Sequence, residues 1–297
     1  MTTTSPRAVF VTRETDYELL VARHATREQA RFYLATRGQD IAEVEARHDR
    51  FTATLKTARA AVPGDWRQTL VRRADFDRFL FGPEDVVVAV GQDGLVANIA
   101  KYLDGQPVLG VNPAPDLYDG VLVRVPLAGL GRSLVASVQG DVGAEQRTMV
   151  EARLDSGARL LSLNEIFVGH RSHQSARYRI SVGDTEEDQS SSGIIAASGT
   201  GATGWARSIM LATGNAVALA PAERAIGYFV REPFPSVATG TTLKAGKLTD
   251  APLVVTSRMN DGGVIFADGI EQDFLAFGWG EQVRITTAAR TLRLVTG

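Results

Sequence analysis

The residues with the clearest chemical potential lie in the stretch VVVAVGQDGLVANIAKYL, residues 86–103. Its small branched residues predict a buried strand that breaks at Gly91, followed by a helix from Leu95. Gly91 and Gly94 would let the backbone approach a phosphate closely, and the helix start would supply N–H groups and a favourable dipole. Asp93 would repel a phosphate, so its use would be as a general base or a metal ligand beside it. The alternative is that Asp93 is only the helix N-cap.

Two further stretches place polar groups beside glycines or at the start of a strand. Residues 191–209, SSGIIAASGTGATGWARSI, predict a strand, a glycine-rich loop and a helix start, with hydroxyls from Thr200 and Thr203. In SLNEIFVGH, Asn164 and Glu165 begin an apolar run, and an amide beside a carboxylate can recognise a ribose or an adenine edge. The alternatives are a flexible connection for the first stretch and a turn or strand edge for the second.

Alternating strands and helices in the first part of the chain would position the glycine–acid stretch. Thr26 and Gln29 have capping-box spacing, which predicts a helix beginning near Arg27, and a further helical stretch ends at Pro63-Gly64. Apolar runs predict strands in AVFVT, QTLVRR, the stretch before Gly91, and QPVLGVNP. Strands that alternate with helices imply a parallel sheet covered on both faces. We therefore predict an open parallel α/β domain over residues 1–125.

The remainder of the chain has a different pattern, with short apolar runs separated by glycine and polar turns. Such spacing predicts a largely antiparallel β domain, which we place at residues 126–297. Within it, TGWARSIMLATG and EQRTMVEARLD are predicted to be helical, and GDTEEDQSSS is predicted to be a solvated loop between strands. In a protein of two such parts, ligands often bind between the domains.

Composition excludes several classes of function. The chain has 297 residues and a formal net charge of −2, which gives no electrostatic sign of a nucleic-acid partner. It has no cysteine, so disulfides and thiolate metal sites are excluded. No apolar run has the roughly 18–20 residues that a membrane span needs, and the first residues lack the apolar core of a secretory signal. These features predict a cytoplasmic protein with no membrane partner.

Taken together, the three motifs resemble the NAD kinase family, and the resemblance covers most of the chain. The order is strand–GQDG–helix, then Asn-Glu before a strand, then a strand followed by SGTGATGW and a helix. PVLGVN follows the glycine–acid motif as in that family, and IFADGIEQDFLAFGWGEQVRI resembles its closing β segment, with an Asp268-Gly269 turn. The forms SSG, GTG and Trp205, together with TRETDYELLVARH and YFVREPF, are similar to the mitochondrial-type subgroup.

The resemblance implies the fold of NAD kinases and diacylglycerol kinases, with NAD bound between an α/β and a β domain. It implies phosphoryl transfer from ATP to the 2′-hydroxyl of the adenosine ribose of NAD, with Mg²⁺ accompanying ATP and no protein metal site. Asp93 would activate the hydroxyl, and Gly91, Gln92 and Gly94 would hold the ATP phosphates. Family habit and exposed strand edges imply a homodimer or a higher homo-oligomer. The residues implied in NAD binding are Asn164, Glu165, Ser192, Thr200, Thr203, Trp205 and Ser208.

Departures from the family pattern leave alternatives open. Gln92 replaces a glycine that in such turns often needs a positive φ, which would cost about 1–2 kcal/mol in strain. Ser192 stands where many relatives have an aspartate. A lipid or other small-molecule kinase would share the glycine–acid motif, although Asn164-Glu165 argues against it, and a non-catalytic nucleotide sensor would explain Gln92. The sequence leaves open whether the donor is ATP or polyphosphate. It also leaves open whether the acceptor is NAD or NADH.

Overall fold

The computed structural model describes residues 5–296. Residues 1–4 and residue 297 lie outside the description, and the first four belong to the stretch for which the sequence predicts no secretory signal. The chain divides into two compact units. The first runs to Glu145 and includes the end of the chain from Arg293, and the second is Gln146–Leu292. No helix within residues 5–296 is long and apolar enough to cross a membrane.

A parallel sheet forms the centre of the first unit, as the alternating pattern predicts. Its strands are in the order β2-β1-β3-β4, and every pairing between them is parallel. Every residue of β3 is buried, which is typical of a strand covered on both faces. Arg293 and Leu294 of the last strand pair in parallel with Pro107 and Val108 of β4. The strands are β1 (Arg7–Thr12), β2 (Arg67–Arg72), β3 (Asp85–Val90) and β4 (Pro107–Val111).

Among the described residues of the first unit, five α-helices accompany this sheet. The predicted start at Arg27 is confirmed, and the Thr26 hydroxyl accepts the Gln29 N–H at 3.2 Å. The preceding polar stretch forms a separate helix, with a capping box between Thr15 and Glu18. The helices are α1 (Asp16–His24), α2 (Arg27–Ala35), α3 (Ile41–Ala60), α4 (Asp93–Ala100) and α5 (Leu130–Gln139).

The boundary between the units follows Glu145, whereas the sequence pattern places it after residue 125. The difference arises from α5, which the sequence analysis does not predict. Leu130 and Leu134 of this helix are fully buried in the same core as Phe10 and Val88 of the parallel sheet. The predicted boundary rests on the change to short apolar runs separated by glycine and polar turns. That change in the sequence begins before the first unit ends.

The second unit is built from antiparallel strands, as predicted. Among the described residues, one sheet has six strands in the order β12-β11-β10-β7-β14-β15. Four further strands pair antiparallel in the order β16-β13-β8-β9. β5 pairs antiparallel with β6. β5 and β16 cross the unit boundary. The predicted helix near Trp205 is confirmed as α6 (Trp205–Thr213). The strands are β5 (Ala144–Leu154), β6 (Arg159–Ser162), β7 (Glu165–His170), β8 (Ala176–Val182), β9 (Thr185–Ser191), β10 (Ile194–Ala197), β11 (Ile226–Val230), β12 (Ala245–Leu248), β13 (Leu253–Ser257), β14 (Gly263–Ala267), β15 (Phe274–Ala276) and β16 (Gln282–Val295).

Two local predictions for this unit are wrong. All of EQRTMVEARLD except its last residue lies in strand β5 rather than in a helix, since Arg147–Val150 is continuously buried and β5 pairs with β6. GDTEEDQSSS contains strand β9 rather than a loop. β9 ends the sheet order, and charged side chains are common on such edges because they discourage pairing with other chains. Arg179 on β8 binds Asp188 on β9 across the pair at 2.8 Å.

Candidate functional site

The turn Gly91–Gly94, called the GQDG turn below, joins β3 to α4. The helix begins at Asp93 rather than at Leu95, and Gln92 occupies the N-cap position without a side-chain capping bond. The Leu95 N–H donates to the Gln92 carbonyl at 2.9 Å. The turn therefore stands at the carboxyl end of a parallel strand, where open α/β sheets bind ligands.

Asp93 does not act as a helix cap, so that alternative is wrong. Its carboxylate accepts three backbone N–H groups, from Val121 at 2.9 Å, Leu122 at 2.8 Å and Val123 at 3.2 Å. The same loop lies so close to β4 that a Cβ on Gly110 would meet the Leu122 carbonyl at 2.3 Å. Asp93 therefore fixes the loop after β4 to the start of α4, and the loop holds the carboxylate in one orientation.

Gln92 shows no backbone strain, so the predicted strain is wrong. Its φ is −98° and its ψ is 170°, an extended conformation that any residue adopts. Its side-chain oxygen accepts a long hydrogen bond, 3.5 Å, from a guanidinium nitrogen of Arg13, which follows β1. The side chain therefore points toward Arg13, and replacing the family's glycine has not distorted the turn.

Replacing Gln92 by glycine is expected to leave the melting temperature unchanged or slightly lower. There is no positive φ to relieve, and glycine costs about 0.5–1 kcal/mol in backbone entropy, partly offset because it is acceptable at an N-cap. Thermal unfolding of Gln92→Gly tests this, with Gln92→Ala as the control that removes the side chain and keeps the Cβ. A clear rise in melting temperature for the glycine variant alone would contradict the unstrained conformation.

In the second unit, Asn164 and Glu165 form a corner before β7, called the Asn-Glu corner below. Asp268 holds it from the turn after β14. The Asp268 carboxylate accepts the Ser162 hydroxyl at 2.8 Å and the N–H groups of Leu163 at 3.1 Å and Asn164 at 2.7 Å. Its own N–H donates to the Glu165 carbonyl at 3.0 Å. Asp268 has a φ of 50°, a left-handed conformation that aspartate tolerates better than most residues.

Two buried carboxyl groups thus lie at the corner. Burial, and to a lesser degree the charge of Asp268, raises the pKa of Glu165 from its ordinary 4.5 to about 7. Burial also raises the pKa of Asp268 to about 6, against the lowering effect of the hydrogen bonds from Asn164 and Ser162. Glu165 is 8% exposed and can present either an acceptor or a donor to a hydroxyl near neutral pH.

The raised pKa of Glu165 predicts a pH dependence of stability. Below about pH 4.5 the carboxyl is protonated in both folded and unfolded chains, so it has no effect. Between about pH 4.5 and 7 the unfolded chain releases the proton first, so stability falls as pH rises. Glu165→Gln stays neutral, so we expect it to gain about 1–3 kcal/mol relative to wild type between pH 5 and 8. Urea unfolding across that range measures the difference, and parallel stability curves would contradict it.

The glycine-rich loop after β10 lies directly against the Asn-Glu corner. The Ser198 N–H donates to the Asn164 carbonyl at 2.9 Å, and the Ser198 hydroxyl donates to the Leu163 carbonyl. That hydroxyl also accepts the N–H groups of Thr200 and Gly201. A Cβ on Gly201 would lie 2.1 Å from the Asn164 carbonyl oxygen, so only glycine fits. The structure therefore brings two of the three sequence motifs together.

The other predicted NAD-binding residues lie further along this loop and strand. Thr203 is exposed, and the Trp205 ring stacks on Phe167 with centroids 6.0 Å apart. Ser208 is exposed on α6, and its hydroxyl donates to the Trp205 carbonyl. Ser192 is also exposed, but it precedes β10, at the opposite end of that strand from the loop. It is therefore not grouped with the Asn-Glu corner.

Sequence reasoning missed three residues at this site. Arg231 places its guanidinium 5.2 Å from the Trp205 ring centroid, and its carbonyl accepts the Ser192 N–H. Arg147 is fully buried, with a guanidinium nitrogen 3.5 Å from the Thr200 hydroxyl. The burial of Arg147 could not be predicted, because the sequence analysis assigns its segment, EQRTMVEARLD, to a helix. For Asp268, the sequence offers one signal, the Asp268-Gly269 pair, which predicts a turn but not the contacts with the Asn-Glu corner.

Metal-ligating side chains do not gather at either place. Within residues 5–296, no group of at least three histidine, aspartate or glutamate side chains is arranged to hold a metal ion. In the HRSH segment, the Nδ1 of His170 contacts the Ser172 hydroxyl at 2.9 Å.

Comparisons with known proteins agree with the motifs and the fold. No family model matches the chain. It is 27% identical to mitochondrial NAD kinase 2 of Rattus norvegicus over 262 residues, covering 71% of the chain and 62% of that protein. The corresponding figures for the Homo sapiens protein are 27% over 257 residues, 68% and 58%. An NAD kinase of Heliobacterium modesticaldum is 33% identical over 132 residues, 42% of the chain and 46% of the relative. The chain thus spans about three fifths of the length of the mitochondrial relatives it matches.

Solved structures share the fold along almost the whole chain. An NAD kinase from Archaeoglobus fulgidus in complex with ATP has a TM-score of 0.60 and 19% identity, covering 97% of this chain and 93% of that one. Yeast NADH kinase complexed with NADH has a TM-score of 0.59 and 14% identity, covering 99% and 84%. The sequence relatives are all NAD kinases and the structural relatives have the same architecture. The chain is therefore similar in sequence to NAD kinases and has the fold of the solved NAD kinase structures.

Proposed function

We propose that the protein is an NAD kinase, which transfers the terminal phosphoryl group of ATP to the 2′-hydroxyl of the adenosine ribose of NAD and produces NADP. The observation that carries this proposal is the Asn-Glu corner, where a buried carboxyl group meets a glycine-rich loop. The GQDG turn alone would suit a lipid kinase equally well. A corner that offers an amide, a carboxyl and hydroxyls favours a nucleoside as the acceptor.

On the donor side, Gly91, Gln92 and Gly94 hold the phosphates of ATP. The start of α4 directs N–H groups and the positive end of its dipole toward an anion at this turn. Mg²⁺ bound to ATP would supply positive charge that offsets the charge of the phosphates beside this turn. Phosphoryl transfer then depends mainly on positioning and on charge stabilisation.

Asp93 acts as the general base. A carboxylate offers about four lone-pair positions, and three backbone N–H groups occupy part of them, which leaves capacity for one further hydrogen bond. The 2′-hydroxyl oxygen forms a bond to the γ-phosphorus while the bond from that phosphorus to the bridging oxygen breaks, and ADP leaves with that oxygen. The hydroxyl proton passes to Asp93. The fixed loop keeps the carboxylate from rotating away, so it remains oriented for transfer.

On the acceptor side, Asn164 and Glu165 bind the adenosine part of NAD, and Thr200, Thr203, Trp205 and Ser208 line the rest of its site. Ser192 lies apart from them, so we assign it a contact with a distal part of the dinucleotide. The proposal includes the homodimer or larger homo-oligomer that the family resemblance implies. The absence of cysteine from the sequence supports a cytoplasmic location.

Incubation of the purified protein with MgATP and NAD tests the proposal directly, with NADP as the product to be measured. A non-catalytic sensor is the second candidate, because Gln92 departs from the family motif. It would bind NAD without forming NADP.

Glu165→Ala is expected to weaken NAD binding by about 1–3 kcal/mol, or roughly 5–150-fold, because the variant removes a buried hydrogen-bond partner of the ligand. ATP binding should be nearly unchanged, since ATP is assigned to the first unit. Calorimetry with each nucleotide separates the two effects. Glu271→Ala, an exposed acid near the Asp268 turn, is the matched control. Equal losses for both nucleotides would count against the assignment.

A further inference from the structure

A fully buried arginine lies against the glycine-rich loop of the second unit. Arg147 in β5 is 1% exposed, and one of its guanidinium nitrogens lies 3.5 Å from the hydroxyl of Thr200, a residue that is 2% exposed. The contact is long for a hydrogen bond. Because both groups are buried, water screens the attraction between the charge and the hydroxyl dipole very little. Arg147 is therefore placed to hold Thr200 from the interior of the unit.

Strand β5 also holds the segment on the other side of the same loop. The N–H of Thr148 donates to the Pro221 carbonyl at 3.0 Å. A Cβ on Gly199 would overlap the Ala220 carbonyl, so the loop lies directly against the segment that β5 binds. On its opposite side, the loop approaches the Asn-Glu corner at Gly201. The position of the loop thus depends on β5 as well as on the corner.

Thr200 connects this buried contact to the exposed part of the loop. Its N–H donates to the Ser198 hydroxyl at 3.1 Å. Its carbonyl accepts the Thr203 hydroxyl at 2.9 Å and the Thr203 N–H at 3.2 Å. Thr203 is exposed, and Trp205, two residues later, is the first residue of α6. A shift of Thr200 would therefore move side chains assigned to the acceptor, although Thr200 itself offers a ligand little surface.

The residue type at position 147 favours a functional explanation of this contact. Arg147 is the largest side chain among those fully buried in residues 5–296. Removing a cation from water is unfavourable, and apolar residues of similar volume often stabilise a fold as well or better. An apolar residue would fill the same space, but it could not donate to the hydroxyl of Thr200. What the guanidinium adds over such a residue is its hold on the glycine-rich loop.

We infer that Arg147 is a positioning residue of the acceptor site. It is too deeply buried to touch a nucleotide, and it acts by holding Thr200, and with it the glycine-rich loop, against the Asn-Glu corner. The inference rests on the proposed function and adds a residue that supports the acceptor site from within the fold. A purely structural role would lower stability without a selective effect on one nucleotide. A positioning role predicts a loss confined to NAD.

The test uses substitutions that change the contact and nearly keep the shape of the interior. Thr200→Val removes the hydroxyl, Thr200→Ser keeps it, and Arg147→Lys keeps the charge but loses the guanidinium fork. Calorimetry on the full chain is expected to show NAD binding about tenfold weaker for Thr200→Val and Arg147→Lys, the scale of a hydrogen bond to a charged group. Thr200→Ser should bind NAD nearly as wild type does. MgATP binding should be unchanged in all three variants.

Hydrogen exchange of the glycine-rich loop gives a second measurement that needs no ligand. The N–H groups of Thr203 and Gly204 donate to carbonyls within the loop. Their exchange should be faster by about fivefold or more in Thr200→Val and should stay near the wild-type rate in Thr200→Ser. Thr256→Val is the matched control, because Thr256 in β13 likewise accepts a side-chain N–H, from Gln282 at 3.2 Å. This control should change neither loop exchange nor NAD binding.

The outcomes separate this inference from the proposed function. If Thr200→Val and Arg147→Lys bind NAD as wild type does, or lose affinity for NAD and MgATP equally, Arg147 only supports the fold and the inference is overturned. Unchanged exchange of the loop also overturns it. Should Arg147→Lys not fold, the comparison of Thr200→Val with Thr200→Ser decides. If the exchange pattern is found but wild type forms no NADP from MgATP and NAD, the hold of Arg147 on the loop stands and the proposed kinase function fails.

Discussion

Replacing Asp93 by asparagine is expected to lower the rate of NADP formation by roughly 10²–10⁴-fold, the usual contribution of a positioned general base. The amide keeps the size of the carboxyl group but accepts no proton at neutral pH. If Asp93 is the base, the folded variant should still bind ATP and NAD with nearly normal affinity, and the loss should fall on kcat. Steady-state rates and calorimetry on the same preparation test both parts.

The same substitution should also lower the free energy of unfolding, by about 1–3 kcal/mol. The Asp93 oxygens face N–H groups of Val121, Leu122 and Val123, and an asparagine must turn its own NH₂ group toward one of these donors. An N-cap would tolerate the change, because asparagine caps about as well as aspartate. Asp119→Asn, an exposed acid in the neighbouring loop, is the control for charge. Near-full turnover of Asp93→Asn would refute the mechanism. A loss of substrate affinity that parallels the loss of turnover would show that Asp93 only holds the loop in place.

Gly201→Ala is expected to disrupt the acceptor site and to cost about 1–3 kcal/mol or more in stability. The new Cβ would lie 2.1 Å from the carbonyl oxygen and 2.6 Å from the carbonyl carbon of Asn164, and both atoms are backbone. Either the glycine-rich loop or the Asn-Glu corner must move, so NAD binding should weaken strongly. ATP binding in the first unit should persist. Thermal unfolding and calorimetry with each nucleotide provide the measurements.

Gly204→Ala is the matched control in the same loop. Its φ is −107°, and the nearest atom to a new Cβ is the Gly201 carbonyl oxygen at 3.7 Å. This variant adds no close contact, so it should disturb the loop less than Gly201→Ala does. If Gly201→Ala and Gly204→Ala behave alike, close approach to Asn164 is not what requires glycine at residue 201.

Local signals in the sequence were sufficient for much of the fold. The Thr26 cap, the apolar strand before Gly91 and the helix after Gly204 depend on nearby residues, so periodicity and capping chemistry identify them. β5 and β9 depend on partners elsewhere. β5 contains the fully buried Arg147 and pairs with β6, and all seven residues of β9 pair with β8. Tertiary pairing overrides local propensity in both cases.

The candidate site was predictable in its residue types but not in its supporting contacts. Glycines and acids at strand ends indicate Asp93 and Glu165 as candidates. The three N–H groups that hold Asp93 come from residues about 30 positions later, and Asp268 reaches the Asn-Glu corner from more than 100 positions away. No periodicity reports contacts at such separations. The sequence also suggests strain at Gln92, because a glycine in such turns often has a positive φ, whereas Gln92 has a φ of −98°.

The last strand has a consequence for how the protein forms during synthesis. Val295 is fully buried in the same core as Phe10 and Val88, and Leu294 pairs with Val108 on β4. A ribosome that adds about 5–20 residues per second needs on the order of 10 s to make the intervening unit, Gln146–Leu292. During that interval the parallel sheet lacks a strand, and β4 has one unpaired edge. The unit whose translation begins earlier therefore stays incomplete until residues 293–295 have been made, and a chaperone that shields β4 would act in that interval.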